Sequence, residues 1–203
     1  MRRIGGMKNM KKLLLFVLSA ALAAPLFAQR RVQRDTVRIG GKPVGVTVTN
    51  WYCIEGDELP AFTVRDQNGK TIRSADLRGK TVVVSFWIGS CAPCLKELGR
   101  VGPEIVDRYS PDEFAFIAIG SGETAESAAR FVELAGATFP LCYDASGEVF
   151  GRFADNGFPK LFVADAGGTV RMVEQGYDDA KFARLEETVA GLIRENRREL
   201  SED

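Results

Sequence analysis

The stretch TVVVSFWIGSCAPC, residues 81–94, decides the fold, because it joins a buried strand directly to the start of a helix. Its first half, TVVVSFW, is a continuous apolar and β-branched run, which is typical of a central strand covered on both faces. Its last four residues are two cysteines separated by Ala92 and Pro93. Proline fits the first turn of a helix, where its missing N–H costs little. The two cysteines are therefore expected at a strand–helix junction.

The segments around this junction alternate between strand and helix patterns. After it come the helical spacing of CLKELGRVGPEIVDRY, the buried strand EFAFIAIG and the helix TAESAARFVELAGA. We expect Pro103 to kink the first helix rather than end it, and Thr124 to cap the second, with Gly136 near its end. Strands that alternate with helices predict parallel pairing within an α/β fold.

Hairpins and a long helix complete the predicted domain. AFTVRD and KTIRSADLRGK flank the turn QNG and predict an opening hairpin. FPLCYD and KLFVAD predict strands around a small helix at SGEVFGRF, and AGG predicts an antiparallel final hairpin. An amphipathic helix follows from residue 178. We place the domain at residues 56–195, a linker and edge segment at 29–55, and a charged C-terminal tail at 196–203.

Residues 1–28 have the three-part layout of a secretory signal peptide. Five basic and no acidic residues accompany an apolar stretch at 13–24, and small residues surround Ala28. The apolar part is shorter than the roughly 20 residues of a comfortable membrane span, so cleavage after Ala28 is predicted, with an uncleaved anchor as the alternative. We expect an exported protein, soluble in the periplasm or tethered to the membrane if the signal is not cut.

Composition narrows the function further. The 203 residues, with 27 basic and 27 acidic side chains, suit one domain. Losing the five basic residues of the signal would leave a net charge of −5, which gives no indication of a nucleic-acid partner. The chain has no histidine, and Cys53 and Cys142 lack pair spacing, so no zinc or copper site is expected. We predict no cofactor beyond a redox-active disulfide between Cys91 and Cys94.

The position of the cysteine pair indicates redox chemistry. Unpaired N–H groups at a helix N-terminus lower the pKa of the first thiol, which makes Cys91 the candidate nucleophile. Cys94, one turn along, is placed to attack a mixed disulfide and release the product. A purely structural disulfide is the alternative, but so short a loop removes little entropy from the unfolded chain.

Several segments together resemble one family. VVVSFWIGSCAPC, LKEL, GFPKLFVADAGGTVRMVEQG and ELPAFTVRDQNGKTIRSADLRGK are similar to the TlpA/ResA branch of thioredoxin-like thiol-disulfide oxidoreductases, over about residues 56–193. The resemblance implies a mixed sheet of four to five strands flanked by helices, with an N-terminal β-hairpin extension. It also implies that Cys91 is the nucleophile, that Cys94 is the resolving thiol, and that a cis Phe158–Pro159 bond faces them and pairs with substrate backbone.

The resemblance bears on four further residues. Glu97 matches a glutamate thought to assist proton transfer, although a solvated first-turn acid is an equal alternative. Ser85 stands where thioredoxin has a buried aspartate, which makes Glu97 the more important proton acceptor. Trp87 is expected beneath the site. Ser90 replaces the tryptophan found before the first cysteine in many relatives, which predicts a more open thiol.

Cys53 and Cys142 remain outside these motifs. A second disulfide between them would tie the N-terminal segment to the domain. A buried free Cys142 is an equally ordinary outcome.

The function predicted from these features is disulfide exchange with cysteine-containing exported proteins. Pro93 between the cysteines resembles reductive members, so we expect a reductase that receives electrons from a thiol-type donor in the membrane. By analogy with the family, apocytochromes are among the candidate clients. The alternatives are a non-catalytic binding module with a permanent disulfide, and a thiol peroxidase. The thiol peroxidase motif is missing, because a threonine or serine is needed three residues before the reactive cysteine and Ile88 stands there.

Overall fold

Seven strands form one mixed sheet in the computed structural model, which describes residues 31–202. The strands are, in chain order, β1 Arg31–Ile39, β2 Lys42–Trp51, β3 Thr63–Asp66, β4 Thr71–Arg73, β5 Thr81–Trp87, β6 Phe114–Ser121, β7 Leu141–Asp144, β8 Lys160–Ala164 and β9 Val170–Gln175. The helices are α1 Ala92–Glu104, α2 Ala129–Ala135 and α3 Asp179–Glu202, with 3-10 turns at Ser74–Leu77, Val106–Arg108 and Phe150–Arg152. The sheet order is β4-β3-β7-β6-β5-β8-β9, and β1 and β2 form a separate antiparallel pair.

The thioredoxin-like fold prediction is confirmed. Strands β7, β6, β5, β8 and β9 make the five-stranded centre, and the hairpin of β3 and β4 extends it through antiparallel pairing of β3 with β7. The predicted parallel pairs are β5 with β6 and β6 with β7, and the predicted final hairpin is β8 with β9. The opening hairpin thus adds two strands to the edge of the central sheet.

Strand β5 separates two hydrophobic clusters, because alternate side chains point to opposite faces of the sheet. All seven of its residues are buried, as predicted for a central strand. Val83 and Trp87 face the cluster that contains both active-site cysteines and the buried faces of all three helices. Val82, Val84 and Phe86 face the second cluster, which Trp51 and the turn near Phe150 cover.

Of the linker and edge segment predicted at 29–55, the edge part is found as strand β2, whereas the linker part is wrong, because residues 31–39 form β1, the other strand of that hairpin. Its inner end is fixed to the loop before β8. Thr49 donates a hydrogen bond to the Asn156 side chain, and the Asn50 N–H donates to Asp155 Oδ1 at 2.9 Å. The basic side chains of β1 hid its alternation in the sequence. The signal-peptide prediction falls on residues outside those described, and within residues 31–202 no helix is long and apolar enough to cross a membrane.

Two helix predictions need correction. Helix α1 ends at Glu104, one residue after Pro103, and a 3-10 turn follows, so the proline precedes termination rather than a kink. Proline removes a helical hydrogen bond and crowds the preceding turn. Helix α2 begins at Ala129 instead of after Thr124, because Thr124 and Ser127 exchange side chain–backbone bonds that close a separate turn. Gly136 ends α2 as predicted, with φ of 55°.

The charged tail predicted at 196–203 is wrong as a separate segment, because α3 continues to Glu202. Asn196 donates to the Gly79 carbonyl at 3.2 Å, and Arg197 pairs with Glu113 at 2.6 Å. These contacts hold the last turns of α3 against the bottom of the sheet. The predicted apolar stripe of α3 is buried in full: Phe182, Leu185, Val189, Leu192 and Ile193.

Gly120 offers a test of packing beneath the site. A Cβ added there would lie 2.8 Å from Trp87 Cζ2 and 3.0 Å from Glu123 Cβ. Gly120→Ala is therefore expected to lower the free energy of unfolding by about 1–3 kcal/mol through overpacking. The matched control is Gly99→Ala on the exposed side of α1, where nothing lies within 4 Å. It should raise stability by about 0.5–1 kcal/mol. Urea unfolding of both variants checks the difference, and equal effects would contradict it.

Candidate active site at the strand–helix junction

A disulfide joins Cys91 and Cys94 where the chain leaves β5 and enters α1. Cys91 is the N-cap of α1, and its Sγ accepts a hydrogen bond from the Cys94 N–H at 3.2 Å. Pro93 occupies the first turn, as predicted. Cys91 is 8% exposed, whereas Cys94 is 1% exposed. Of the two residues, Cys91 is therefore the one that a partner from solvent would meet first.

The cysteine pair belongs to a buried apolar cluster that includes an aromatic stack. Trp87 is fully buried and stacks on Phe131 with ring centroids 4.3 Å apart and planes within 2°. Both rings belong to the buried cluster that contains the two cysteines. Ser90 is exposed, yet Cys91 is almost covered. The expectation of an open thiol is therefore wrong, since neighbouring packing covers Cys91 even without a tryptophan at residue 90.

Glu97 is buried on α1, three residues after Cys94 and so on the same side of the helix. Ser85 Oγ, on the central strand, donates a hydrogen bond to Glu97 Oε1 at 2.6 Å. Burial raises the pKa of Glu97 to about 7, and the bond from Ser85 opposes that shift. The alternative of a solvated first-turn acid is wrong. The arrangement gives a carboxyl group that can take up or release a proton near neutral pH.

Pro159 follows a cis peptide bond from Phe158, as the resemblance implied. Antiparallel pairing of Lys160 with Phe86 places the start of β8 beside the end of β5. Pro159 therefore lies at the same edge of the sheet from which the chain leads to Cys91.

Cys53 and Cys142 are free, buried thiols, so the predicted disulfide between them is wrong. Cys142 sits in β7 between β3 and β6, opposite Asp66 and Ile119. Cys53 is held elsewhere, by its N–H bond to the Phe153 carbonyl at 3.1 Å. Burial, with smaller contributions from nearby carboxylates, raises the pKa of each thiol to about 12. Neither is suited to act as a nucleophile at neutral pH.

Lys160 is a site-adjacent residue that sequence reasoning missed. It is fully buried, and Nζ lies 3.9 Å from the centroid of the Trp51 ring, with no hydrogen-bond partner among residues 31–202. Burial lowers its pKa to about 8, against smaller opposing effects of Asp155 and Asp35. The sequence feature that could have identified it is a lysine at the start of the buried strand KLFVA, directly after Pro159. Its aromatic partner, Trp51, lies at the end of the N-terminal hairpin, and no sequence pattern predicted that this hairpin packs beside β8.

Comparison with known proteins identifies the family. A family model described as Redoxin matches residues 54–190, the part that holds the sheet, both active-site cysteines and Pro159. The chain belongs to the Redoxin family.

Within the part of this Redoxin chain that the structure describes, no group of three or more potential metal-binding side chains occurs.

Individual relatives narrow the activity. The chain is 35% identical over 120 residues to the thiol-disulfide oxidoreductase ResA of Bacillus anthracis, covering 59% of this chain and 68% of that protein. It is 26% identical over 167 residues to ResA of Geobacillus thermodenitrificans (strain NG80-2), covering 82% and 86%. A crystal structure of a thioredoxin-family thiol:disulfide interchange protein from Chlorobium tepidum TLS superposes with a TM-score of 0.59 at 24% identity, covering 69% and 98%, which shows the shared fold. This Redoxin-family member is a thiol-disulfide oxidoreductase of the ResA type.

Proposed function

We propose that the protein is an exported reductase that transfers electrons from Cys91 and Cys94 to disulfides of cysteine-containing client proteins. One observation carries the proposal: a helix-capping disulfide in which Cys91 is more exposed than Cys94. Pro93 between the cysteines, which resembles reductive members of the family, supports the reducing direction. The signal layout of residues 1–28 and the similarity to ResA support export to the periplasm.

The exchange proceeds in two balanced steps. Cys91 thiolate attacks one sulfur of the client disulfide, so a mixed disulfide forms and a client thiolate leaves. Cys94 then gives its proton to Glu97 and attacks Cys91 Sγ, which breaks the mixed disulfide and frees the second client thiolate. Two electrons pass to the client, and Glu97 returns the proton to a departing thiolate. The protein ends with the Cys91–Cys94 disulfide, and a thiol-type membrane donor must reduce it again.

Client binding is assigned to the edge that carries Pro159. The cis bond lies beside the end of β5, so a client segment pairing with the backbone there as an added strand would bring its sulfur towards Cys91. Exported proteins with reducible disulfides, including apocytochromes, are the client class that we propose.

A single-turnover experiment tests the function. The reduced protein is mixed with a peptide that contains one intramolecular disulfide, and both thiol products are counted after acid quenching. We expect one peptide dithiol for each protein disulfide formed. Cys91→Ser, which keeps the fold but lacks the nucleophile, should give none. Failure of the wild-type protein to exchange would favour a binding module with a permanent disulfide.

A further inference from the structure

A second carboxylate reaches the active-site loop from outside the motifs. Glu123 follows β6, and its Oε1 accepts a hydrogen bond from the Gly89 N–H at 2.6 Å. Its other oxygen, Oε2, accepts one from Ser127 Oγ at 2.6 Å. Gly89 lies within the turn closed by the Cys91 N–H bond to the Ile88 carbonyl at 3.1 Å. Glu123 therefore bridges the turn that carries Cys91 and the loop that leads to α2.

The base of this bridge is joined to the central sheet and to α2. The Glu123 N–H donates to the Gly120 carbonyl at 3.4 Å, and Gly120 pairs with Trp87 across β6 and β5. Trp87 is in turn stacked on Phe131 of α2. Glu123 is therefore anchored to the sheet and to α2. Its carboxylate holds the N–H of Gly89, the residue two positions before Cys91.

The other charged side chains of the neighbouring elements make no hydrogen bond to this turn within residues 31–202. Lys96 and Glu97 lie on α1, the first exposed and the second buried against Ser85. Arg130 is exposed in α2, and Lys160 is directed at Trp51. Within residues 31–202, Glu123 is the charged side chain that hydrogen-bonds the turn from Ile88 to Cys91.

We propose that Glu123 is a positioning residue that fixes the turn before Cys91 and lowers the reduction potential of the cysteine pair, which makes it more reducing. A negative charge beside the turn disfavours the Cys91 thiolate. Because a stabilised thiolate makes a disulfide more oxidising, a disfavoured one makes the pair more reducing. This inference rests on the proposed exchange at Cys91.

Three variants separate charge from position. Glu123→Gln keeps an oxygen for the Gly89 N–H but removes the charge, and Glu123→Ala removes both. Glu126→Gln is the matched control, because it removes an exposed charge from the same loop, and within residues 31–202 it is Glu123 and not Glu126 whose side chain hydrogen-bonds the turn. Each variant is titrated against glutathione, and alkylation of Cys91 is followed against pH by peptide mass spectrometry.

Glu123→Gln should shift the equilibrium with glutathione about threefold towards the dithiol, equivalent to about 14 mV at 29.6 mV per tenfold. The midpoint of Cys91 alkylation should fall by about half a pH unit. Glu123→Ala should also speed amide exchange at Gly89, whereas Glu126→Gln should match wild type throughout. Glu123→Gln indistinguishable from Glu126→Gln in both titrations would overturn the inference. Absence of exchange in the wild-type protein would instead refute the proposed function.

Discussion

Replacing Cys94 with alanine is expected to stop turnover and leave Cys91 joined to its client in a stable mixed disulfide. Cys94 is 1% exposed and directly adjoins Cys91 through the disulfide, so it is the thiol placed for the second attack. Cys53 and Cys142 are buried, and the raised pKa of about 12 keeps each protonated, so neither substitutes for it. Without a resolving thiolate, the reaction stops at the mixed disulfide.

The adduct is measured by non-reducing electrophoresis and intact mass after mixing with a peptide disulfide. The matched control is Cys91→Ala, which should form no adduct because Cys94 is inaccessible from solvent. An adduct at Cys94 in that control, or continued turnover by Cys94→Ala, would show that the two roles are assigned wrongly.

Glu97→Gln is expected to slow resolution of the mixed disulfide by about a hundredfold at neutral pH, the lower range for general acid–base catalysis. Glutamine can keep the bond with Ser85 but cannot take the proton of Cys94. The wild-type resolution rate should change near pH 7, where Glu97 titrates, and this inflection should vanish in the variant. Stopped-flow measurements from pH 5 to 9 test the profile. An unchanged inflection in the variant would assign it to another group.

The same substitution should alter stability in a defined pH window. The pKa of Glu97 is raised by burial from 4.5 to about 7, so the folded protein binds more protons than the unfolded chain between these values. Stability therefore falls as pH rises through the window, by about 3 kcal/mol in total. Glu97→Gln should lack this fall, while the exposed control Glu133→Gln should retain it. Urea unfolding of the oxidised proteins at pH 5 and pH 8 distinguishes the two.

The central part of the fold could be predicted because its signals are local. An uninterrupted β-branched run specifies a strand buried on both faces, and the cysteines and Pro93 mark the helix start that follows. The alternation of strands and helices then limits the pairing to parallel neighbours. The cis bond before Pro159 followed from family resemblance and not from pattern, since an edge proline gives the same local signal.

The remaining features depend on contacts between distant parts of the chain. The hairpin of β1 and β2 is fixed by Thr49 and Asn50 bonding to Asn156 and Asp155, partners that no local pattern reveals. Glu123 reaches Gly89 across 34 positions. The incorrect prediction of a Cys53–Cys142 disulfide has the same cause. The sequence shows that both cysteines are present, but it does not show that separate parts of the fold hold them.

The most direct test of the proposed redox role is to titrate the wild-type protein in glutathione and dithiothreitol buffers and map every thiol by quenched alkylation. We expect Cys91 and Cys94 to become labelled together in one two-electron step, with a midpoint near that of thioredoxin, about −270 mV. Cys53 and Cys142, labelled after unfolding, should be free thiols at every point. A Cys91–Cys94 bond that resists dithiothreitol in the folded protein, or a midpoint near the DsbA value of about −120 mV, would contradict a reductase.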